Sequence, residues 1–196
     1  QGQAREVPVQ DQVDEYEVIG PDGYGYPIYA LKQNHKALYG SLISEQDMAK
    51  AYDDGNPYVN RDPRFYRDII YHGSMFKGKW INTATGADAI NAANSTSTGY
   101  FTRKYFDGYY TKGMSGNWNF DAPLIRLATI YLVYAEAVTR SKGATPEVYN
   151  LMNELRARSF MAPIPPAAQT NKELLLDYIL RERRVELCLL YTSPSP

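Results

Sequence analysis

Carboxylates are the side chains of this sequence that come nearest to a catalytic set. A pair of acidic groups on either side of a sugar–sugar bond performs glycoside hydrolysis, and Asp53, Asp54, Asp62 and Asp107 are the candidates. Their neighbours favour structural roles instead. Asp53 and Asp54 are followed by a Gly and a Pro, as in a turn, and Asp62 lies between an Arg and a Pro, as in an ion-paired turn. We therefore predict that the chain is not an enzyme.

Motifs for other chemistries are missing from the sequence as well. It contains no Gly-x-Ser-x-Gly, no His-Glu-x-x-His and no phosphate-binding glycine loop. The Gly-rich stretch 20–25 has neither an apolar strand before it nor a helix after it, so it is predicted to form turns. One cysteine (Cys188) and two histidines (His35 and His72) are too few for a Cys- or His-rich metal site. We predict no metal and no cofactor.

Charge and hydropathy exclude two classes of partner. The 21 basic and 22 acidic residues give a net charge of −1, so no positive field exists to hold a nucleic-acid backbone. No apolar run is long enough to span a bilayer. The first 12 residues are polar and lack the hydrophobic region of an export signal. The chain is therefore expected to be either a cytosolic protein or a piece of a larger one, and its start at Gln1 without an initiator Met favours the second alternative.

The aromatic residues are unevenly distributed among types: 18 Tyr stand against 6 Phe and 2 Trp. A tyrosine ring has an apolar face and a polar tip, which suits wet, polar ligands and interfaces. The ordinary alternative is that most of these tyrosines pack at the margin of the core with the hydroxyl reaching water.

Helical periodicity is concentrated after residue 121. A first helix is predicted from Pro123 to Gly143, and a second after Thr145 as its N-cap; the short connection predicts a helical hairpin. A capping box at 170–173 opens a third helix. The predicted buried positions are Leu124, Leu127, Ala128, Tyr131, Tyr134, Ala135 and Val138 in the first helix, Val148, Leu151, Met152 and Leu155 in the second, and Leu174, Leu175, Tyr178, Ile179, Val185 and Leu187 in the third.

The remainder of the chain has little regular structure in its pattern. Residues 1–60 are rich in Gly, Pro and Tyr, with one short helix predicted after the cap Ser44. Residues 61–120 are predicted to form strands and loops, with strand candidates at 65–71 and 100–106. The alternating Arg and Glu residues of 181–186 predict a solvated or ion-paired helix face, and Arg126 is predicted to pair with Glu182 or Glu186.

Five segments in the same order resemble those of the SusD/RagB family. They are Pro8-Val-Gln10 with Val13-Asp-Glu-Tyr-Glu17, Asn60-Arg-Asp-Pro-Arg-Phe65 with Ile69-Ile-Tyr71, Thr98-Gly-Tyr-Phe-Thr-Arg-Lys-Tyr105, Pro123-Leu-Ile-Arg-Leu-Ala128 with Tyr134-Ala-Glu-Ala137, and Ile179-Leu-Arg-Glu-Arg-Arg-Val-Glu-Leu187. His72 stands where the family usually has Asn. Residues 1–187 are therefore expected to be the C-terminal part of a SusD-like domain. Residues 188–196 depart from the family pattern and are expected to be a non-native tail.

The resemblance implies a mainly α fold of tetratricopeptide-like helical hairpins with irregular loops and a few short strands. It also implies a lipid-anchored protein on the outer face of the outer membrane. Such proteins bind oligosaccharide, or peptide in some relatives, without cleaving it. They pass the ligand to a TonB-dependent SusC-like transporter, whose mouth they cover.

Residues that could contact a sugar are most concentrated in the middle of the chain. Sugar rings stack on aromatic faces, and their hydroxyls bond to planar polar groups. The ligand-binding candidates are Trp118, Tyr109, Tyr110, Trp80, Asn117 and Tyr100. A second aromatic patch, Tyr24, Tyr26 and Tyr29, is interpreted as loop packing. By the same resemblance, basic residues within the shared segments have structural roles: Arg61, Arg64, Arg103, Lys104, Arg126 and Arg183.

Two other functions remain open on the sequence. A helical-repeat scaffold would bind a protein partner and no small molecule, and a glycosidase would release shortened products. The leading hypothesis is a glycan-binding surface protein that serves a transporter.

Overall fold

The computed structural model describes residues 7–30, 36–93, 95–104 and 125–188. Regular structure in these residues is mainly helical. The helices are α1 (Gln10–Asp14), α2 (Lys36–Tyr39), α3 (Glu45–Ala51), α4 (Pro63–Asp68), α5 (Leu127–Lys142), α6 (Pro146–Ala157) and α7 (Lys172–Leu187), with short 3-10 turns at Ile28–Ala30, Gly86–Asp88 and Pro166–Gln169. The two-residue strands are β1 (Val18–Ile19), β2 (Gly25–Tyr26), β3 (Ile69–Ile70), β4 (Met75–Phe76), β5 (Lys79–Trp80) and β6 (Phe101–Thr102).

Helices α5, α6 and α7 form the largest packed unit, in which α5 contacts both others. Gly143 ends α5 with a φ of 87°, a backbone conformation that glycine adopts without strain. The Thr145 hydroxyl then accepts a hydrogen bond from the Val148 amide and Pro146 occupies the first turn of α6. The predicted helical hairpin and its cap are confirmed.

The N-cap of α7 differs from the prediction by one residue. The Asn171 side chain accepts a bond from the Leu174 amide at 3.0 Å, so Asn171 and not Thr170 is the cap. Both residue types cap well, and their adjacency made the choice ambiguous. All six predicted core positions of α7 are buried.

Helix α5 begins later than predicted, and its buried face agrees with the prediction only in part. Arg126 has extended backbone and precedes the first helical residue, Leu127; Pro123 and Leu124 lie outside the described residues. The buried positions are Ala128, Leu132, Ala135 and Thr139. The predicted positions Ala128 and Ala135 are buried, but Leu127, Tyr131 and Tyr134, which were also predicted to be buried, are exposed. The prediction was wrong for these three residues because α5 carries apolar residues on two sides, and the sequence does not mark which side meets α6 and α7.

The core consists of two clusters. The larger one lies where α5, α6 and α7 meet the β1–β2 hairpin and α2, and includes Tyr26, Leu132, Met152 and Tyr178. The smaller one joins the start of the chain to α4 and the end of α7; its buried members are Val13, Tyr16, Phe65, Ile69, Tyr100, Val185 and Cys188. The segments outside the long helices are therefore packed against α5, α6 and α7 through one or the other of these two clusters.

The strands form three two-stranded antiparallel ladders, β1–β2, β3–β6 and β4–β5. The strand predicted at 65–71 is wrong over residues 65–68, which belong to α4. The Asp62 carboxylate accepts a bond from the Arg64 amide and Pro63 starts that helix, so a strong N-terminal cap outweighs the β-favouring residues. The strand predicted at 100–106 is found at Phe101–Thr102 only, within the described residues. Ser44 caps α3 as predicted.

Candidate functional site

A chain of buried ion pairs joins the β1–β2 hairpin, α4, α6 and α7. Glu17 accepts bonds from Arg156 Nη2 at 2.5 Å and from Arg181 Nε at 3.0 Å. Glu182 accepts from Arg156 Nη1 at 3.1 Å and from Arg64, which also donates to Asp62 Oδ2 at 2.7 Å. All of these side chains are buried. We call the six residues Glu17, Asp62, Arg64, Arg156, Arg181 and Glu182 the buried ion network.

Close approach of the backbone to this network depends on Gly25 in β2. A Cβ atom at that position would collide with the Glu17 carboxylate and with the Arg156 guanidinium. The Tyr178 hydroxyl donates to the Gly25 carbonyl at 2.8 Å. The β1–β2 hairpin, α6 and α7 therefore meet around one carboxylate.

The electrostatics of Glu17 and Glu182 do not resemble those of a catalytic acid. Burial alone would raise the pKa of Glu17, but Arg156 and Arg181 outweigh it and lower that pKa to about 2. Burial would also raise the pKa of Glu182, but Arg64 and Arg156 outweigh burial and lower that pKa. Carboxylates that stay ionised and fully paired at neutral pH are poor proton donors. The network joins segments that are more than 100 residues apart, which is a structural role.

Basic residues predicted to be structural all have protein partners. Arg126 Nη2 donates to Glu186 Oε1 at 2.7 Å, which confirms the pairing predicted from the sequence. Arg61 donates to the carbonyls of Val13 and Tyr16. The remaining contacts are Lys104 to the Glu186 carbonyl at 2.9 Å, Arg103 to the Tyr66 carbonyl at 3.1 Å and Arg183 to Glu136 at 2.9 Å.

The clearest exposed aromatic ring in a predicted ligand-binding position is that of Trp80. It lies on the β4–β5 hairpin, residues 73–81, which we call the Trp80 hairpin. Lys77 and Gly78 form its two-residue turn, both with positive φ (50° and 75°), the arrangement that matches the twist of paired strands. Trp80 is 65% exposed and pairs directly with Met75, which is also exposed. Two apolar side chains therefore share one open face.

Backbone bonds hold the base of the Trp80 hairpin. The Gly73 amide donates to the Ile81 carbonyl at 2.8 Å, and the Ile81 amide donates to the Ser74 carbonyl at 3.0 Å. His72 Nδ1 accepts from the Thr83 amide at 3.2 Å, and Lys79 pairs with Asp88 at 2.7 Å. The Trp80 ring is thus presented on an ordered segment, which lowers the entropic cost of stacking a ligand on it.

The other predicted ligand contacts have different positions. Tyr100 is only 6% exposed, and its hydroxyl donates to Gln10 Oε1 at 2.7 Å, so its ring belongs to the smaller core cluster. Trp118, Tyr109, Tyr110 and Asn117 lie outside the described residues. The patch of Tyr24, Tyr26 and Tyr29 packs against the larger core cluster, in agreement with its interpretation as loop packing.

Catalytic and metal-binding alternatives find little support in the described residues. Asp53 Oδ1 accepts a bond from the Gly55 amide at 2.8 Å, as in a turn, and Asp62 belongs to the buried ion network. Asp107 lies outside the described part of the chain. No cluster of three or more His, Cys, Asp or Glu suited to a metal occurs in the described ranges. No helix there is sufficiently long and apolar to cross a bilayer.

A surface that the sequence reasoning missed lies on the exposed side of α5. Its exposed apolar residues are Leu127, Ile130, Tyr131, Val133 and Tyr134, which we call the outer face of α5. Between this face and α6 runs a groove of about 560 Å³. The spacing 127, 130, 131, 134 is itself a helical stripe, parallel to the buried one. The sequence shows this stripe, but the sequence analysis predicts its residues to be buried in the core.

Comparison with known proteins identifies the protein family to which the chain belongs. A profile of the SusD family matches residues 5–190, so the chain belongs to the SusD family. A SusD-like protein from Bacteroides fragilis, solved as a crystal structure, is 25% identical with a TM-score of 0.67. The alignment covers 93% of this chain. The predicted fold, mainly α with tetratricopeptide-like hairpins, is confirmed.

A second solved structure shares the fold. It is described as a SusD-like carbohydrate binding protein from Bacteroides fragilis, is 24% identical with a TM-score of 0.64, and is matched over 93% of this chain. The chain spans about a third of the length of each of these two structures, with 33% of each covered. No curated protein matches the chain.

Proposed function

We propose that the protein captures oligosaccharides without cleaving them and serves a transporter of the outer membrane. The observation that carries the proposal is membership of the SusD family over residues 5–190. A structural relative with the same fold is described as carbohydrate binding. The class of ligand is therefore taken from the family, and the proposed position of the site is supported by the exposure of Trp80.

The Trp80 hairpin is the part of the proposed site within the described residues. An exposed indole offers a flat apolar face to the C–H groups of a sugar ring. Asn82 follows the hairpin directly, but its Oδ1 accepts from the Ala84 and Thr85 amides, so it shapes the loop. The proposed hydrogen-bonding partners and further rings are Asn117, Tyr109, Tyr110 and Trp118.

Capture without cleavage agrees with the state of the Glu17 and Glu182 carboxylates. Glycoside hydrolysis needs one carboxylic acid that is protonated near neutral pH and a second carboxylate on the opposite side of the bond. Glu17 and Glu182 have lowered pKa values and are enclosed by arginines. The proposed site on the Trp80 hairpin is formed by an indole and by backbone, which bind but do not transfer protons.

The proposed partner is a SusC-like TonB-dependent transporter, and the proposed location is the outer face of the outer membrane. Both come from the family. A lipid anchor carried by the full-length protein would hold it there. The first test is whether a SusC-like transporter is encoded in the neighbouring reading frame and co-purifies with the full-length protein.

The binding proposal is tested by a glycan array, followed by affinity gels containing the selected polysaccharide. We expect retardation of the chain by at least one glycan, and a loss of retardation in Trp80→Ala, Trp118→Ala or Tyr110→Ala. Phe160→Ala is the matched control, because Phe160 is also an exposed aromatic residue (88%) and lies outside the proposed site.

Two results would overturn this proposal. Binding that is unchanged in all three site variants places the ligand elsewhere. Absence of glycan binding, together with a stable protein partner, favours the alternative of a helical-repeat interaction scaffold.

A further inference from the structure

The Trp80 hairpin presents an indole and a thioether side by side. Trp80 and Met75 are cross-strand partners in the β4–β5 ladder and are 65% and 50% exposed. Side chains of directly opposed residues lie on the same face of the ladder, with their Cβ atoms about 5 Å apart. We call this side of the hairpin its open face. A sugar ring that stacks on the indole therefore has one edge beside Met75.

Hydrogen-bonding groups on the hairpin are few and serve other partners. Ser74 has the only hydroxyl in residues 73–81, and its Oγ donates to the Tyr71 carbonyl at 2.7 Å and accepts from the Tyr71 amide at 3.1 Å. The thioether of Met75 is at best a weak acceptor. A sugar hydroxyl placed beside Met75 therefore loses contact with water and gains no partner, whereas a methyl group placed there is stabilised by burial.

The positive charges of the hairpin are directed away from its open face. Phe76 and Lys79 form the other cross-strand pair, and successive residues of a strand point to opposite faces. Lys79 Nζ lies 2.7 Å from Asp88 Oδ2, which neutralises its charge locally. Lys77 Nζ lies 5.6 Å from the centroid of the Phe76 ring. An anionic sugar on the open face would therefore gain little from either lysine.

The apolar pair and the direction of the charges together select one class of sugar. We propose that the open face of the Trp80 hairpin binds neutral sugar units that carry a methyl group, with the pyranose ring on Trp80 and the methyl group on Met75. The methyl group belongs either to an acetamido substituent or to a deoxyhexose. This inference rests on the proposed capture of oligosaccharides and adds to it the class of sugar. Unsubstituted hexoses stack on the same indole but leave the Met75 side chain uncovered.

The first test is calorimetry of the chain with pairs of glycans that differ in one group. Chitohexaose and cellohexaose have the same linkage and differ in the acetamido group. A glycan that ends in fucose and the same glycan ending in L-galactose differ in the methyl group of the deoxyhexose. In at least one pair we expect the methyl-bearing member to bind about five-fold more tightly than its partner. The pair that shows the preference identifies the source of the methyl group.

The outcomes separate this inference from the proposed function. Equal affinities within both pairs would overturn the preference for a methyl group but leave glycan capture intact. Tighter binding of an oligogalacturonate, weakened by added salt, would overturn the assignment to neutral sugars. Absence of binding to every glycan on the array would overturn capture and the class of sugar together.

The second test replaces the thioether. Met75→Gln keeps the length of the side chain and introduces hydrogen-bonding groups, so the ratio of affinities within the preferred pair is expected to fall from about five to about one. Met75→Leu keeps an apolar surface and is expected to retain most of the preference. Trp80→Ala weakens both members of the pair, and Phe160→Ala, at an exposed ring outside the site, weakens neither. A preference that persists in Met75→Gln would refute the proposal.

Discussion

Replacement of Glu17 by Gln tests whether the buried ion network stabilises the fold as the geometry indicates. The substitution keeps the shape of the side chain and removes its charge. The Glu17 carboxylate accepts from Arg156 through both oxygens and from Arg181 through one. The NH2 group of the new amide is a hydrogen-bond donor, so at least one guanidinium N–H loses its acceptor and faces another donor. In addition, the two buried arginines lose the negative charge that they share.

The expected loss of stability in Glu17→Gln follows from the pKa of Glu17. A fall from its usual 4.5 to about 2 corresponds to about 3 kcal/mol of stabilisation at pH 7, at 1.36 kcal/mol per unit. The folded pKa is lowered, so this stabilisation is complete above pH 4.5 and is lost as the pH falls towards 2. At pH 3 roughly half of it remains by the same relation. The contribution of Asp62 to the pH dependence of stability has the opposite sign, because burial raises the pKa of Asp62. Asp62 is present in both the wild type and the variant, so its contribution cancels when the two are compared.

Urea unfolding followed by circular dichroism at pH 7 and pH 3 measures the difference. We expect Glu17→Gln to lower the free energy of unfolding by about 3 kcal/mol at pH 7 and by about half as much at pH 3. Arg140→Gln is the control, because the Arg140 side chain that pairs with Glu136 is 56% exposed and the pair should contribute less than about 1 kcal/mol. A cost below about 1 kcal/mol for Glu17→Gln, or the same cost at both pH values, would refute the reasoning.

Three further substitutions probe how the helices and segments are joined, each by the free energy of unfolding in urea. Arg64→Leu leaves Asp62 and Glu182 buried without their shared cation and should cost about 3–5 kcal/mol; a neutral effect would show that Arg64 is dispensable. Gly25→Ala places a methyl group against the Glu17 carboxylate and should destabilise by about 1–3 kcal/mol, whereas an unchanged midpoint would contradict the tight approach. Thr145→Ala removes the α6 cap and should cost about 1 kcal/mol, with Thr145→Ser expected to restore most of it.

Much of the helical architecture could be predicted from local sequence chemistry. The α5–α6 hairpin was predictable because Gly143, Thr145 and Pro146 act within one turn of the chain, and the core face of α7 was predictable from its spacing. The face of α5 could not be predicted in the same way. Both of its stripes fit helical periodicity, and only packing against α6 and α7 decides which one is buried.

The ion pairs that join the helices to the rest of the chain could be predicted only in part. The Arg126–Glu186 pair was inferred from opposite charges on two helices, and it is present. The central position of Glu17 was not foreseen, because Glu17 reaches Arg156 and Arg181 across more than 100 residues of chain. Charged side chains are usually exposed, so the alternating run 181–186 was read as a solvated or ion-paired face; Arg181, Glu182 and Glu186 are in fact buried and paired.

The site itself was less predictable than the fold. Trp80 is exposed because a two-residue turn and its cross-strand register place it beside Met75 on the open face. Tyr100, of similar aromatic character and chosen by the same reasoning, is buried because β6 pairs with β3 beside Phe65. Residue type alone does not separate a ring that packs from a ring that binds.

Incubation of the chain with a glycan selected by the array, followed by mass spectrometry of the sugar and calorimetry of binding, tests the central claim most directly. We predict saturable binding, recovery of the oligosaccharide at its original length after prolonged incubation, and at least ten-fold weaker binding by Trp80→Ala. Shortened oligosaccharides would contradict the account, and so would binding that is unaffected by loss of the Trp80 indole.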